Sequence, residues 1–488
     1  MALPPKILIV GGGVFGCELK LAQEIYAEKF PLWLNGICDY PTPTAVDTAI
    51  NYELLSRNPP TNYSPVSTAL ALTKRHPNSQ VTLLEASPTI PNPHGSSVDS
   101  SRIVRADYAN GAYAKLAAAA IQRWRTTDWG REGRYTQNGL LLVYPHDSAS
   151  AQEYARKSYD NVKQIESEQV EFLPTKADVL KVVPAYGTDL DVAGGYVNWG
   201  SGWSNAAASV RFAKEQLDRE GKVTFCTGVV ERVLFTGTRA TGVALADGTS
   251  ITADLVVLAT GAWTPKLVDL RGKAVATGQA IAYLRISDAE QQQLAHLPTI
   301  LNFATGIFII PPRNNVLKIA RHAYGYRNPT AVAVPGTGAG SSAETMQVSL
   351  PEAGLPVPLE GEDAFRTALK QLLPRFADRP FADTRVCWYT DTPKGDFIVS
   401  YHPAHQGLFL ATGGSGHAYK FFPVLGDKVV DALEGSLEPE LRELWTWTKQ
   451  SRPEAGADTE DLFDGDGSRS GERKLNLREE LAKTRSSL

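Results

Sequence analysis

Lys6-Ile7-Leu8-Ile9-Val10-Gly11-Gly12-Gly13-Val14-Phe15-Gly16 is the stretch on which the fold turns. An apolar run rich in β-branched residues enters glycines spaced G-x-G-x-x-G, the pattern of a buried parallel strand feeding a phosphate-binding turn and then a helix. Gly11 permits the tight turn, Gly13 the approach of backbone to a pyrophosphate, and Gly16 close packing of helix on strand. The helix start would turn free N–H groups and the positive end of its dipole to the phosphates.

Such a unit needs a second strand ending in an acid roughly 20 residues beyond the glycines, to hold ribose hydroxyls. The candidate is Gln80-Val81-Thr82-Leu83-Leu84-Glu85, yet Glu85 stands about seventy positions after Gly16, far outside that spacing. Just before it, residues 67–76 read as a small-residue helix stopped by Pro77. Removing residues 17–66 and putting one residue in their place brings glycines, helix, strand and acid into register. The removed stretch carries Pro31, Pro41, Pro43, Pro59, Pro60 and Pro65, has no sustained period, and holds two of the four cysteines. Cys17-Glu18 can be encoded T-GTGAG, a splice-donor consensus, and Pro65-Val66 CCAG-TG, an acceptor end. Thr61-Asn62 can encode a CTAAC branch point, and joining the flanks would give a leucine codon. The expectation is that residues 17–66 are a translated, unspliced intron; the alternative is a surface insertion.

The 488 residues suit a two-part enzyme, and a hydrophobic share of 43% with 21% charged is ordinary for a soluble globular protein. A net charge of -4 gives no basic footprint for nucleic acid or anionic membrane. Four cysteines in so long a chain form no disulfide framework, which fits a reducing compartment. No apolar run reaches the roughly 20 residues of a membrane helix. Residues 1–5 lead straight into the first strand, so no signal peptide is expected. The final Ser486-Ser487-Leu488 is similar to a peroxisomal Ser-Lys-Leu address without its basic residue, so a cytoplasmic or peroxisomal location is expected.

Further along, Ser96 to Arg105 interleaves hydroxyls with two arginines three apart, read as one helical face of anion ligands or a solvated helix start. Residues 112–125 read as a helix, 138–144 as turn and strand, and 151–169 as a charged helix. Residues 194–203 read as an aromatic, glycine-rich loop, either a pocket wall or an ordinary turn. From residue 205 α/β alternation returns: a helix at 206–220, strands at 222–226 and 229–233, and a hairpin about Asp247-Gly248. Leu255-Val256-Val257-Leu258-Ala259-Thr260-Gly261-Ala262-Trp263 reads as a buried strand ending in small residues beside a dinucleotide. Segments 277–286, 303–310 and 315–320 read as strands of a second sheet. A third return runs from residue 385 through strand 408–412 into Gly413-Gly414-Ser415-Gly416-His417 and a helix over 424–433. From residue 451 a surface tail with one helix near 475–483 is expected.

Other chemistries fail on inspection. His402 and His405 lack a third metal ligand, Gly414-Ser415-Gly416 lacks the frame of a nucleophile elbow, and the first glycine turn lacks the Lys-Ser/Thr of a P-loop. A dinucleotide cofactor, no metal, and a pocket with cationic groups remain.

The combined motifs resemble the flavin amine oxidases of the monomeric sarcosine oxidase type, which include pipecolate, saccharopine and fructosyl-amino-acid oxidases. The resemblance rests on the glycines with Phe15-Gly16, the Ser-x-x-Ser-x-Arg-Ile-x-Arg run ending at Arg105, Lys318 with His322, Cys387-Trp388-Tyr389-Thr390, and Gly414-Ser415-Gly416-His417-x-x-Lys420. It implies FAD as cofactor, an α/β fold with an α+β second domain, and a Rossmann-like FAD domain interleaved with a mixed-sheet substrate domain. The FAD domain would comprise residues 5–110, 205–276 and 385–435, the substrate domain 111–204 and 277–384, and the tail 436–488. Cys387 matches the cysteine joined to the flavin by a thioether, and Arg105 with Lys420 the clamp on a substrate carboxylate. Lys318 matches the lysine at the oxygen-reducing face, and His322 and His417 the pocket histidines. Cofactor contacts are implied for Gly11, Gly13, Val14, Phe15, Gly16, Glu85, Ala86, Ser101, Arg102, Val230, Thr260, Gly261, Trp263, Cys387, Gly414, Gly416 and Lys420.

The implied reaction oxidises the C–N bond of a secondary amino acid, N-alkyl or cyclic, to an imine, with oxygen reduced to hydrogen peroxide. In the fructosyl-amino-acid oxidases the position four after the oxygen-site lysine is a glutamate that holds sugar hydroxyls; His322 stands there in this chain. A sugar adduct is therefore the second choice of substrate. The expected partners are the amino acid and oxygen, with no nucleic acid and no membrane, and the expected state is a monomer. If the insertion is truly translated, a flavin-poor, inactive form is the reading of a different class.

Overall fold

In the computed structural model the described residues are 3–11, 64–93, 95–96, 98–187, 189–336, 344–447 and 467–483. Gly12, Gly13, Val14, Phe15 and Gly16 lie outside them, as do the stretch 17–63 and Ser486-Ser487-Leu488.

The apolar run forms the strand Lys6–Gly11, buried from its second residue onward. It sits inside a six-stranded sheet, parallel to Gln80–Glu85 on one side and to Leu255–Ala259 on the other. The strands Val223–Thr227, Leu408–Thr412 and Ile398–Tyr401 complete the sheet, the last antiparallel. A strand flanked by two parallel neighbours is covered on both faces, and the alternating side chains show it. Ile7, Ile9, Val81, Leu83 and Val257 pack into one core, while Leu8, Val10, Leu84, Val256 and Leu258 pack into another with Val230 and Val233.

The expected crossover helix is Ser64–Arg75, and Pro77 follows its end. Its own Ala69, Ala71 and Leu72 are buried. It crosses the helix Phe422–Glu434 closely because Gly426 has no side chain: a Cβ there would collide with the Ser67 carbonyl. The helix Ala206–Glu220 follows the expected bounds, capped by the Asn205 side chain and ended by Gly221 at φ 63°.

A second, ten-stranded mixed sheet carries Leu140–Tyr144, Gly194–Asn198, Val275–Arg285, Thr299–Asn302, Ile307–Arg313 and Val316–Arg321. Its core runs from Leu141 and Val143 through Ile300, Ile309 and Ile319 to Phe365 and Phe376. The interleaving anticipated from sequence is thus an α/β half built from separated segments and a mixed-sheet half between them.

Four local readings are corrected. Arg102–Val104 is a strand paired with Gly202–Ser204, not a helix start. Arg102 lies in this strand and Arg105 just beyond its end, and both border one cavity with Cys387 and Lys420. The aromatic loop at 194–203 is the strands Gly194–Asn198 and Gly202–Ser204; Trp199 between them is 39% exposed. Asp383–Asp391 pairs along its length with Val275–Arg285, so Cys387 comes from the larger sheet rather than from the cofactor half. Residues 467–483 are not a surface tail: Leu475–Asn476 joins the larger sheet and Arg469 is 6% exposed.

Gly426→Ala should lower stability by about 2 kcal/mol, since the helix backbones must part to admit a methyl group; chemical denaturation measures it, and an unchanged midpoint would contradict the close crossing.

Candidate active site

The carboxyl ends of the parallel strands converge where a dinucleotide-binding sheet places its ligand. Glu85 ends its strand with 3% exposure, and its Oε1 accepts from the N–H groups of Ala86 at 3.0 Å and Ser87 at 3.3 Å. Its Oε2 lies where a Cβ on Gly11 would come within 2.5 Å, so any side chain at that position would push the carboxylate aside. Burial pushes the Glu85 carboxyl up to about 7, against the opposing N–H bonds of Ser87, Asn92 and Ala86. The next strand ends in Thr260 and Gly261, the latter at φ 51°. Thr264 Oγ1 donates to the Gly261 carbonyl at 2.7 Å and contacts Thr412 Oγ1 at 3.0 Å, tying the ends of two parallel strands together. Val230 stays in the core behind this edge, and Trp263 packs on Met346, Val348 and Leu350.

Below these ends lies a cavity bordered by Arg102, Gly261, Cys387, Tyr389, Thr412 and Gly414. Gly416, at φ 72°, faces Tyr389 so closely that a Cβ would enter the ring. Cys387 is 7% exposed, and Arg102 Nη2 donates to its Sγ at 3.5 Å. Backbone ends without side chains, a ribose-type acid and a strand-borne sulfur fit an extended dinucleotide carrying a ring system.

One carboxylate absent from the sequence reading organises the side near Lys318. Asp99 is wholly buried; Lys318 Nζ donates to its Oδ2 at 2.6 Å, Tyr283 Oη to its Oδ1 at 2.9 Å, and Arg102 is paired with it. Burial alone would raise the Asp99 carboxyl, but Lys318, Arg102 and Arg385 outweigh it and hold it well below the usual range. Lys318 Nζ also donates to the Ser101 carbonyl at 2.8 Å. Burial pushes the Lys318 ammonium down to about 8, with Asp99 opposing. The sequence signal was an acid three positions before Arg102 in a serine-rich run.

A second cationic group borders a larger cavity of about 530 Å³, with Arg105, Tyr108, Tyr154, His322, His417 and Arg469 on its wall. Lys420 Nζ donates to Tyr108 Oη at 2.8 Å and to the His417 carbonyl at 2.8 Å. His417 Nε2 lies 2.7 Å from the Gly395 carbonyl, which can only accept, so Nε2 carries the proton. Nδ1 then accepts from Tyr108 Oη at 2.9 Å. Burial, with Lys420 and Arg105 adding to it, holds the His417 ring neutral; burial, with Arg469 and Arg105, does the same for His322. Burial and Arg105 also lower the Lys420 ammonium. Arg105 lies 4.8 Å over the Tyr108 ring, and its buried Nη1 has no hydrogen-bond partner among the described residues. Asp107, which interacts electrostatically with Arg105, commits its oxygens to Ser201 at 2.6 Å and Asn198 at 3.2 Å.

Arg469 enters this wall from the C-terminal segment. It grips Asp391 through two bonds of 2.5 and 2.6 Å and donates to the Ser415 carbonyl at 3.1 Å. No periodicity around Ser468 signalled this return. His402 and His405 contact each other at 4.6 Å between rings, away from these residues. Among the described residues no group of three or more His, Cys, Asp or Glu side chains could hold a metal ion, and no helix is long and apolar enough to cross a membrane.

Fold and site together define an oxidoreductase that works with a bound dinucleotide. Residues 66–432 match the family described as FAD dependent oxidoreductase, and the chain belongs to that family. The match begins at Val66, the far boundary of the stretch set apart in the sequence. The amino acid oxidase imqH of Aspergillus flavus is 30% identical over 78% of this chain and 94% of its own length. The L-saccharopine oxidase of Schizosaccharomyces pombe is 26% identical over 79% and 91%. A thermally stable mutant of fructosyl peptide oxidase superposes with a TM-score of 0.73 at 26% identity, over 85% of this chain and 95% of that one.

Arg469→Met should cost roughly 3–5 kcal/mol of stability, because it strands a buried carboxylate. The double change with Asp391→Asn should recover part of that loss in the same denaturation experiment.

Proposed function

We propose that the chain is an FAD-dependent oxidase of secondary α-amino acids. The observation that carries this is the unpartnered Arg105 Nη1, buried beside Lys420 where both border a smaller cavity with His322, His417 and Cys387 and no carboxylate on its wall. Two buried cations facing a cavity without a protein carboxylate between them suit a substrate carboxylate, which supplies the missing charge. Tyr108 and the neutral His417 hold Lys420 from behind, leaving one ammonium N–H for that carboxylate.

The residues present fit FAD. Glu85 would hold ribose hydroxyls, Gly11 and Gly261 would let backbone approach, and Cys387 would tether the ring system covalently. Bound there, FAD would accept two electrons from the amine's C–N bond and deliver them to oxygen. With the carboxylate clamped, the amine must be neutral for its bond to be oxidised, and the neutral rings of His322 and His417 leave room for an uncharged amine. The resulting imine is hydrolysed by water. Lys318 is the cation that steadies charge developing on oxygen, worth several kcal/mol in a water-poor site.

The secondary amino acid is preferred because His322, on the cavity wall, holds the position at which the resemblance places a glutamate in the fructosyl-amino-acid oxidases. The fold likeness to fructosyl peptide oxidase supports an N-fructosyl amino acid as the second reading. A hydrogen peroxide assay over N-methyl, cyclic and N-fructosyl amino acids decides between them, and silence with all three classes would overturn the proposal.

The status of residues 17–66 bears on activity. Ser64–Arg75 is the helix that stands between the two adjacent parallel strands, which supports residues 17–66 as an interruption of one unit. Expression with and without them tests this: the shorter form should purify yellow, and the full chain with less flavin or none. Equal flavin content would favour a tolerated insertion.

Two further outcomes are expected. Cys387→Ser should release flavin on acid precipitation, whereas the parent should retain it. Lys318→Met should slow oxygen-dependent reoxidation at least ~100-fold while anaerobic reduction changes little; equal loss in both half-reactions would argue against the oxygen role.

A further inference from the structure

We propose that Asp99 is the positioning residue of the oxygen half-reaction: its buried carboxylate fixes the Lys318 ammonium and links it through Arg102 to the sulfur of Cys387. This rests on Lys318 acting at the oxygen-reducing face.

Four strands deliver groups to this one carboxylate. Lys318 comes from Val316–Arg321, Tyr283 from Val275–Arg285, Arg102 from Arg102–Val104 and Arg385 from Asp383–Asp391, the last at 3.4 Å. Asp99 Oδ1 is pinned further by the Ser100 N–H at 2.7 Å. Each partner is itself fixed: Arg102 by the Ser96 carbonyl at 2.8 Å, Arg385 by the Val98 carbonyl at 2.6 Å.

The consequence falls on Lys318. An ammonium has three N–H donors; one meets Asp99, one meets the Ser101 carbonyl, and the third has no protein acceptor among the described residues. The Phe308 ring, 5.7 Å from Nζ, closes an apolar side. Lys318 therefore keeps one donor for a small ligand, and its direction is dictated by the other two. The groups facing it are Asp99, Arg102, Arg385 and Tyr283, with Cys387 one guanidinium away. Without Asp99 they would be two arginines, and a buried lysine among them would give up its proton. With Asp99 the cluster holds three cations and one carboxylate, an excess of positive charge beside the sulfur. In the oxygen half-reaction two electrons and two protons join oxygen, giving hydrogen peroxide. Asp99 and Lys318 contribute no atoms; they supply a fixed charge where negative charge develops.

The test uses the full chain and the form lacking residues 17–66, each labelled with ¹³Cε-lysine, with the Lys318 signal assigned by its loss in Lys318→Met. The parent should titrate at about 8. In Asp99→Asn the midpoint should fall by at least ~2 pH units, since a contribution that favours the charged form is gone. This readout does not depend on flavin, so it separates failure of the Asp99 role from failure of the oxidase reading. In flavin-loaded protein, reoxidation by oxygen should decline in the parent as pH rises through that midpoint. For Asp99→Asn it should be at least ~10-fold slower at neutral pH and recover at lower pH, with anaerobic reduction within ~2-fold of the parent. If Asp99→Asn does not fold, Asp99→Asn with Arg385→Gln removes one charge of each sign and should shift the midpoint in the same direction. An unmoved midpoint, or equal slowing of both half-reactions, would overturn the proposal.

Discussion

Buried cations need anions, and this constraint arranges the whole site. Arg102, Arg385 and Lys318 are gathered around Asp99, and Arg469 is gripped by Asp391. Arg105 and Lys420 form the exception, for the described residues give them no carboxylate in an ion pair. A charge left open in an otherwise matched interior stores electrostatic free energy that a ligand can release. The protein is thereby complete on the side read as meeting oxygen and incomplete on the side read as meeting substrate.

Both arrangements depend on residues carried by the two sheets meeting around the same cavities. Lys318 and Cys387 come from the larger sheet, Arg102 and Asp99 from the segment after the second parallel strand, and Lys420 from the start of the helix that follows the last one. No single segment could assemble the site. The parallel sheet fixes the ends at Glu85, Gly261 and Thr412, and the larger sheet lays its charged residues across them. The C-terminal segment then seals the wall through Arg469, so a stretch that composition marks as polar becomes interior.

The elements with strong local signals were legible in the sequence: the runs at 6–11, 80–85, 255–259 and 408–412, the hairpin turn at Gly248, and the helix capped by Asn205. What misled was periodicity in short polar segments. Two arginines three apart suit a helix face, yet Ile103 and Val104 beside them favour the strand that forms. Gly194, Gly195, Gly200 and Gly202 suggested a loop, but their lack of side chains lets the strands pack: a Cβ on Gly202 would strike the Thr136 carbonyl. Lys318, Arg105, Lys420 and His417 could be singled out because they stand in motifs. Asp99 and Arg469 were not, because a buried partner of a buried cation carries no local pattern; only the fold shows which charges meet.

The central claim is that the open pair of cations receives the carboxylate of an amino acid whose C–N bond is oxidised beside bound FAD. The direct measurement is anaerobic mixing of the flavin-loaded protein with a secondary amino acid that is turned over, and separately with its carboxamide, while the flavin absorbance is followed. The account predicts rapid bleaching by the acid and at least ~100-fold slower bleaching by the amide, as expected when a charged group is left unpaired in a buried site. Equal rates with the two compounds would contradict it.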